Sequence, residues 1–293
     1  MANYTVLYNP LAGNGNAKKD TQKLPEILPD DNVRLYDMTE IKDYESFFKG
    51  LASDERLVIS GGDGTLNRFI NDIGDYPIEN LDVYYFAAGS GNDFMNDIGH
   101  KRFDPPYPIN EYLRDLPTIT IKGKTYKFLN GVGYGIDGYC CEEGDKVRKT
   151  SDKPVNYTGI AIKGLLYDFK PANATITVDG VTRHYKKVWL APMMNGRFFG
   201  GGMMPTPDQD RLNPERTISC LVWHDSGKLK TLSAFPGIFK GEHVKQKMCE
   251  IFVGKEIIVE YDRPIPAQID GETITNVTKC EARSAALVKA KAK

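Results

Sequence analysis

The chain has 293 residues, of which 41% are hydrophobic and 26% charged, and its formal net charge is −1. This length exceeds that of most single cores, so two domains are expected. The near-zero charge excludes a global electrostatic field that would recruit nucleic acid. Residues 1–6 lack the basic and apolar regions of a signal peptide, and the five cysteines show no C-x-x-C spacing. These features favour a cytoplasmic protein with free thiols.

The first hundred residues alternate between predicted strands and helices. Apolar runs predict strands at 4–8, 33–36, 57–59 and 83–87, and an amphipathic pattern predicts a helix at 44–51. Such alternation predicts an open, mostly parallel α/β sheet. Three polar, glycine-bearing loops follow strands, so they are expected at the carboxyl edge of the sheet, where such folds bind ligands.

After residue 100 the pattern changes to short strands with few helices between them. Strands are predicted at 119–121, 126–129, 174–178, 187–191, 218–223, 250–253, 257–261 and 267–269. Helical insertions are predicted at 137–149 and 155–169. This pattern favours an antiparallel β-rich second domain, built as a sandwich.

We therefore predict two domains and a tail. Residues 1–118 form an α/β nucleotide-binding domain, and residues 119–280 form a β-sandwich domain that carries the acceptor side. The Ala- and Lys-rich tail at 281–293 is expected either to fray or to return to the first domain.

The most informative stretch is Gly61-Gly62-Asp63-Gly64-Thr65, the GGDGT loop, which follows the third predicted strand. A buried strand that ends in a glycine turn and a helix start presents backbone N–H groups to phosphate. Glycine permits the close backbone approach. An aspartate in such a loop suits Mg²⁺ binding or the activation of a hydroxyl beside the phosphate. A tight strand-to-helix turn with Asp63 as helix N-cap is the structural alternative.

Three loops occur in a fixed order: Asn9-Pro10-x-Ala12-Gly13, the GGDGT loop with Asn67, and the GSGND loop at residues 89–93. Together they resemble the diacylglycerol kinase catalytic domain family of lipid kinases, most closely its soluble bacterial members. Sphingosine and ceramide kinases are relatives. NAD kinases and phosphofructokinases share the central loop, so the resemblance implies a first domain of that type.

The resemblance continues to about residue 275. Matching segments lie at 130–137, at Asn195 with 200–203, and at Asp270-Gly271-Glu272. The resemblance implies a set of residues around ATP, with Ser90 where the family usually has Thr. The set is Asn9, Gly61, Gly62, Asp63, Gly64, Thr65, Asn67, Gly89, Ser90 and Asn92.

The same resemblance assigns the acidic residues. Glu272 looks like the family's general base, with Asp270 beside it, and Asp63 like the carboxylate on the Mg²⁺ or phosphate side. In the sphingosine kinase branch the residue equivalent to Asp63 has the acid–base role instead. A positioned carboxylate that takes the proton of a lipid hydroxyl contributes about 10²–10⁴-fold in rate. A solvated Asp-Gly hairpin is the structural alternative for residues 270–272.

A second metal site is a point of departure from the family. Bacterial members carry an Asp-Asp-Gly that supplies a structural Mg²⁺ site, where this chain has Asn213 and Glu215. These are weaker ligands for a hard cation. Asp208 and Asp210 are alternative ligands that the spacing does not decide.

Two apolar regions bear on lipid access. The apolar residues within 157–169 either cover an acyl chain or belong to the core. Five lysines surround an apolar stretch at 235–239, and this segment either docks on an anionic bilayer or is a solvated helix face. The lysines are Lys228, Lys230, Lys240, Lys245 and Lys247.

These features predict an ATP- and Mg²⁺-dependent kinase that converts diacylglycerol to phosphatidic acid at the cytoplasmic membrane surface. The alternatives are a kinase for a sphingoid base, ceramide or another glycerolipid, an NAD kinase, and a catalytically silent nucleotide- or lipid-sensing module. No nucleic-acid partner is expected, and an oligomer, if one forms, is expected to be a homodimer. The mechanism requires the glycine loops and the acidic pair to converge on one triphosphate across an interdomain cleft.

Overall fold

The computed structural model of the chain describes residues 1–10, 12, 17–89, 91–151 and 155–291. They form two compact units, Met1–Asp115 and Leu116–Lys293. The first unit is built on a mostly parallel sheet and the second on an antiparallel sheet. The predicted fold class is therefore confirmed.

The first unit contains a five-stranded sheet. Its strands are β1 Asn3–Tyr8, β2 Asn32–Asp37, β3 Glu55–Gly61, β4 Asp82–Ala87 and β5 Tyr107–Pro108. Their order is β2-β1-β3-β4-β5, and only β5 runs antiparallel to its neighbour. In the central strand β3, Leu57, Val58 and Ile59 are at most 1% exposed. A continuous apolar run of this kind is typical of a parallel strand covered on both faces.

Short helices connect these strands. They are α1 Ala17–Thr21, α2 Leu24–Ile27, α3 Tyr44–Lys49, α4 Asp63–Asp72, α5 Asp93–Asp97 and α6 Asn110–Leu113, with 3₁₀ turns at Met38–Glu40 and Ile78–Asn80. Helix α4 begins directly after β3 and buries Leu66, Phe69 and Ile70, which lie on one helical face. The GGDGT loop is therefore held between a buried strand and a buried helix face.

The second unit contains a ten-stranded antiparallel sheet. Its strands are β6 Thr118–Ile121, β7 Lys124–Lys127, β8 Gly131–Tyr134, β9 Ala172–Val178, β10 Val181–Val188, β11 Met193–Met194, β12 Ile218–Trp223, β13 Cys249–Gly254, β14 Glu256–Ile269 and β15 Glu272–Arg283. The main path is β13-β12-β11-β8-β14-β15-β6-β7, and β9 pairs with both β14 and β10. A large apolar cluster that includes Tyr134, Trp189 and Trp223 packs within this unit.

Helical segments flank this sheet. They are α7 Ile136–Thr150, α8 Tyr157–Lys163, α9 Lys228–Ala234 and α10 Ala285–Lys291, with a π turn at Gly164–Asp168 and 3₁₀ turns at Phe235–Lys240 and Glu242–Lys245. Across the described ranges, no helix has the length and apolar character needed to cross a bilayer.

Three sequence predictions of elements in this unit were wrong. The strands predicted at 257–261 and 267–269 are one continuous strand, β14, and the helix predicted at 155–169 is interrupted by the π turn. The strand predicted at 187–191 lies mostly outside β10. The sequence also missed β15, because that strand is rich in polar residues and buries only a few side chains, among them Val277, Cys280 and Ala282.

Candidate active site

The GGDGT and GSGND loops are joined by backbone hydrogen bonds. They follow the neighbouring parallel strands β3 and β4. The carbonyl oxygen of Gly61 accepts the N–H groups of Ala88 and Gly89 at 3.0 and 2.9 Å, and the N–H of Asp63 donates to the carbonyl of Gly91 at 3.1 Å. The two loops therefore form one structure at the carboxyl edge of the sheet, as the sequence predicts.

The glycines permit this close approach. A Cβ atom on Gly89 would lie 2.4 Å from the Cα of Gly62, and one on Gly62 would lie 2.8 Å from the carbonyl oxygen of Gly91. A Cβ on Gly61 would lie 2.4 Å from the hydroxyl of Thr65. Contacts this short are not possible for real side chains, so glycine is required at residues 61, 62 and 89.

Asp63 connects the two loops through its side chain. Its carboxylate is buried, and its two oxygens accept the N–H groups of Asp93 at 2.7 Å and Phe94 at 3.0 Å. These donors belong to the first turn of α5, whose backbone groups need acceptors. Asp63 thus caps the following helix and not its own, so the predicted structural alternative is only partly right. The capping also fixes the orientation of the carboxylate.

Two polar atoms in these loops are buried without a hydrogen-bond partner among the described residues. They are the hydroxyl oxygen of Thr65 and the amide oxygen of Asn92. The amide nitrogen of Asn92 donates to the carbonyl of Gly89 at 2.8 Å, which holds the side chain in place. Buried polar groups in native proteins are nearly always paired, so these two atoms fit the polar groups of a bound nucleotide.

The remaining residues predicted to bind the nucleotide are less closely connected to the two loops. Asn9 is half-buried, and its carbonyl accepts the N–H of Ala12 in a turn. Asn67 is buried on α4, where its side-chain oxygen accepts from Asn71 at 3.3 Å. Gly64 lies in the first turn of α4. Ser90 lies outside the described residues.

Asp270 organises the acidic turn of the second unit. Its buried carboxylate accepts the N–H groups of Leu129, Asn130 and Gly131 at 2.6, 2.8 and 2.9 Å. Asp270 and Gly271 have φ angles of 45° and 100° and form the two-residue turn between β14 and β15. Asp-Gly is a preferred pair for such a hairpin turn. The side chain of Asp270 therefore binds the start of β8.

Glu272 has a different environment from Asp270. It is the first residue of β15, pairs with Ile269, and is exposed in its unit. The sequence predicts that the two carboxylates reach one site; in the structure Asp270 is buried and Glu272 is exposed. Of the pair, Glu272 is thus the better candidate for a general base.

A buried hydrogen-bond chain supports this turn, and sequence reasoning gave it no role. The amide nitrogen of Gln268 donates to the carboxylate of Asp137 at 2.7 Å, and the amide oxygen of Gln268 accepts the N–H of Gly271 at 2.6 Å. A Cβ on Gly133 would lie 1.7 Å from the Asp137 carboxylate. Glycine at 133 therefore makes room for Asp137. The signal in the sequence that could have identified this hydrogen-bond chain is Asp137, an acidic residue at the start of α7, two residues after Gly135.

Burial raises the pKa of Asp137 to about 6, against the lowering effect of the hydrogen bond from Gln268. In the native state the carboxyl group of Asp137 therefore stays protonated above pH ~4, where the same group in the unfolded chain loses its proton. The free energy of unfolding should fall by about 3 kcal/mol as the pH rises from 4 through 6. Asp137→Asn should remove this loss, since a neutral amide oxygen still accepts from Gln268.

Urea denaturation of Asp137→Asn and the wild type at pH 5 and pH 8 measures this effect. The variant should be more stable at pH 8 by about 1–3 kcal/mol and should show a flatter pH dependence. The matched control is Asp262→Asn, an exposed residue on β14. Equal pH dependence in Asp137→Asn and the wild type would contradict the assignment.

The predicted second metal ligands are engaged in protein contacts. The side chain of Asn213 accepts the N–H of Thr217 at 2.9 Å and donates to the carbonyl of Asp210 at 2.6 Å. The carboxylate of Glu215 pairs with the ammonium of Lys255 at 2.8 Å, which lowers the pKa of Glu215. Within the described parts of the chain, no group of three or more His, Cys, Asp or Glu side chains is placed to hold a metal ion. The second site stays a prediction.

Asp208 and Asp210 line a cavity of about 230 Å³ together with Asn213. Its other lining residues are Thr206, Gln209, Thr217, Ser219, Ile251 and Val253. Glu215 is not part of the lining. The alternative ligands that the sequence left open therefore share one cavity with Asn213.

Comparison with known families identifies a match for each part of the chain. The model of the diacylglycerol kinase catalytic domain matches residues 3–120, and that of the YegS C-terminal NAD kinase beta sandwich-like domain matches residues 130–287. The chain belongs to the family with a YegS C-terminal domain, whose model covers more than half of it, and its N-terminal part matches the diacylglycerol kinase catalytic domain. The resemblance predicted from the three loops is confirmed.

Individual lipid kinases of the family match over nearly the whole chain. The “Putative lipid kinase YtlR” of Bacillus subtilis is 25% identical over 93% of this chain and 94% of its own length. A diacylglycerol kinase of Mycobacterium tuberculosis is 23% identical over 90% of this chain and 91% of its own. A solved diacylglycerol kinase structure from Bacillus anthracis str. Sterne is 17% identical, with a TM-score of 0.56 over 97% of this chain and 94% of that one. This last likeness shows the fold alone.

Proposed function

We propose that this protein transfers the γ-phosphoryl group of ATP to the hydroxyl group of diacylglycerol at the cytoplasmic membrane surface, with Mg²⁺. The observation that carries the proposal is the joined pair of glycine loops, where Thr65 and Asn92 hold buried polar atoms without partners among the described residues. Such atoms fit the phosphate and sugar groups of a nucleotide. The relatives named as lipid and diacylglycerol kinases support the acceptor class.

Each carboxylate has a separate role in this proposal. Glu272, exposed at the start of β15, takes the proton of the acceptor hydroxyl as the hydroxyl oxygen attacks the γ-phosphorus. The bond between the γ-phosphorus and the β,γ-bridging oxygen breaks, and ADP leaves. Mg²⁺, when bound, supplies charge neutralisation at the β- and γ-phosphates. Asp63 would hold it, because a hard cation takes carboxylate oxygen and the N–H groups of Asp93 and Phe94 fix this carboxylate in place.

A lipid-phosphorylation screen tests this function. The full chain is incubated with labelled ATP, Mg²⁺ and either diacylglycerol, ceramide, sphingosine or NAD, and the products are separated and identified by mass spectrometry. Label in phosphatidic acid supports the proposal. Label only in another lipid overturns the acceptor, label only in NADP overturns the lipid kinase assignment, and ATP binding without any product overturns catalysis.

Thr65→Val should weaken ATP binding about tenfold without lowering the free energy of unfolding. Valine keeps the branched shape beside Gly61, and the hydroxyl that it removes is buried without a partner in the described residues. Titration calorimetry with ATP and urea denaturation measure the two quantities.

Thr21→Val is the opposite control for this test. The hydroxyl of Thr21 is buried and hydrogen-bonded to Ser60 at 2.7 Å. Its removal should therefore lower the free energy of unfolding by about 1 kcal/mol. If Thr65→Val bound ATP as tightly as the wild type, the nucleotide role of this hydroxyl would be wrong.

A further inference from the structure

The helical segment at residues 226–248 is anchored to the core of the second unit by part of its apolar side chains. Ile238 is fully buried, and the ring of Phe235 lies 6.0 Å from that of Trp223. The imidazole of His243 stacks on Trp223, and its Nε2–H donates a hydrogen bond to the carbonyl of Pro205 at 2.9 Å. These buried side chains therefore already pack the segment against the core.

Other apolar side chains of the same segment remain outside. Leu229 is 76% exposed and Phe239 is 49% exposed, although both are large hydrophobic residues. Tyr167, on the adjacent π turn, is 70% exposed. The π turn and α9 are in direct contact, because the ammonium of Lys228 donates to the carbonyl of Leu166 at 2.7 Å. We name these three exposed side chains, with the lysines of 226–248, the basic apolar face.

Exposed apolar side chains are not distributed evenly along the chain. Ten large hydrophobic side chains are exposed in the part that the structure describes, and six of them lie on the helical segments within 157–167 and 229–244. Single exposed apolar side chains are ordinary, but a concentration of them marks an interaction site.

The charge of this face is also distinct from that of the chain. Residues 226–248 contain five lysines and one acidic residue, Glu242, while the formal net charge of the whole chain is −1. All five lysines are exposed. Lysines beside exposed leucine and phenylalanine give a surface that attracts anionic headgroups and inserts side chains below them.

We propose that the basic apolar face docks on an anionic lipid bilayer. This proposal rests on the proposed lipid kinase function, since it brings the protein to the surface that holds the acceptor. The charge complementarity favours a bilayer over a second copy of the chain, whose identical lysines would repel these. Leu229 and Phe239 enter the interfacial region, and the lysines contact the headgroups.

Vesicle sedimentation with the full chain, without nucleotide, tests the docking. The vesicles are pure phosphatidylcholine or phosphatidylcholine mixed with phosphatidylglycerol. The wild type should bind the mixed vesicles in preference, and salt should weaken binding. Leu229→Ser combined with Phe239→Ser should reduce the partition coefficient at least about tenfold, and Lys230→Glu with Lys240→Glu should reduce it similarly.

Matched controls distinguish the contribution of the basic apolar face from the general effect of removing an exposed apolar side chain or a charge. Val181→Ser removes another exposed apolar side chain, and Lys124→Glu reverses another exposed charge, so both should bind like the wild type. Because all substituted side chains are exposed, the melting temperatures should be unchanged. Equal loss of binding in the controls would overturn the proposal, as would a wild type that binds no anionic vesicle.

Two further measurements distinguish this proposal from the function on which it rests. With acceptor in detergent micelles, the Leu229→Ser, Phe239→Ser double variant should phosphorylate at the wild-type rate, and Glu272→Gln should bind vesicles like the wild type. Vesicle binding by a protein without lipid kinase activity would overturn the function and leave the docking intact. Wild-type binding and vesicle activity in the double variant would overturn the docking alone.

Discussion

Glu272→Gln should lower kcat for lipid phosphorylation about 10²–10⁴-fold, which is the contribution of a positioned general base. Glutamine has the shape of glutamate but does not take up the proton of the acceptor hydroxyl. Because Glu272 is exposed, the substitution should change the free energy of unfolding by less than about 0.5 kcal/mol. The KM for ATP should be nearly unchanged, because the proposed nucleotide contacts lie on the glycine loops. Initial rates of phosphatidic acid formation measure the effect.

The control for this variant is Glu260→Gln, an exposed residue on the neighbouring strand β14. It should keep wild-type kcat. If the Glu272→Gln enzyme kept the wild-type kcat, Glu272 would not be the general base. Asp63, the other carboxylate in the proposed mechanism, would then be the next candidate.

Asp270→Ala should lower the free energy of unfolding by about 3–6 kcal/mol, because it leaves three buried N–H groups without their acceptor. The donors are Leu129, Asn130 and Gly131, all within 2.9 Å of the carboxylate. The positive φ of 45° at this residue adds strain for alanine. A loss of this size is a large part of the total stability of a domain. Urea denaturation measures it.

Asp270→Asn and Glu260→Ala are the comparisons for this variant. Asparagine keeps one oxygen as an acceptor but turns an N–H₂ group toward a backbone donor, so its loss should be intermediate. Glu260 is exposed, and its removal should cost less than about 0.5 kcal/mol. An Asp270→Ala protein with wild-type stability and no activity would instead make Asp270 a catalytic residue.

The sequence predicted the elements whose signals are local. Leu57, Val58 and Ile59 form a continuous apolar run, and the glycine loop that follows them identifies a parallel strand and its ligand-binding end. The hydrogen-bond partners of the acidic residues could not be predicted from the sequence. The acceptor role of Asp63 depends on α5, about thirty residues later, and that of Asp270 on β8, far earlier in the chain. These contacts arise from tertiary structure.

The missed features have the same cause. Strand β15 has a polar sequence, and its place in the sheet depends on pairing with β14 and β6, not on its own apolar pattern. Asp137 appears in the sequence as an ordinary acid near a helix start. Its burial and its contact with Gln268 become visible only when α7 and β14 are packed together.

The direct contact of Gly62 with Gly89 has a consequence for how this protein can vary. A side chain at Gly89 would meet the backbone of Gly62, and one at Gly62 would meet the carbonyl oxygen of Gly91, so neither is tolerated unless the facing backbone moves. Asp63 restrains that movement, because its carboxylate accepts the N–H of Asp93. A change of nucleotide preference, whether by engineering or by descent, therefore has to spare these contacts and occur at the periphery of the loops.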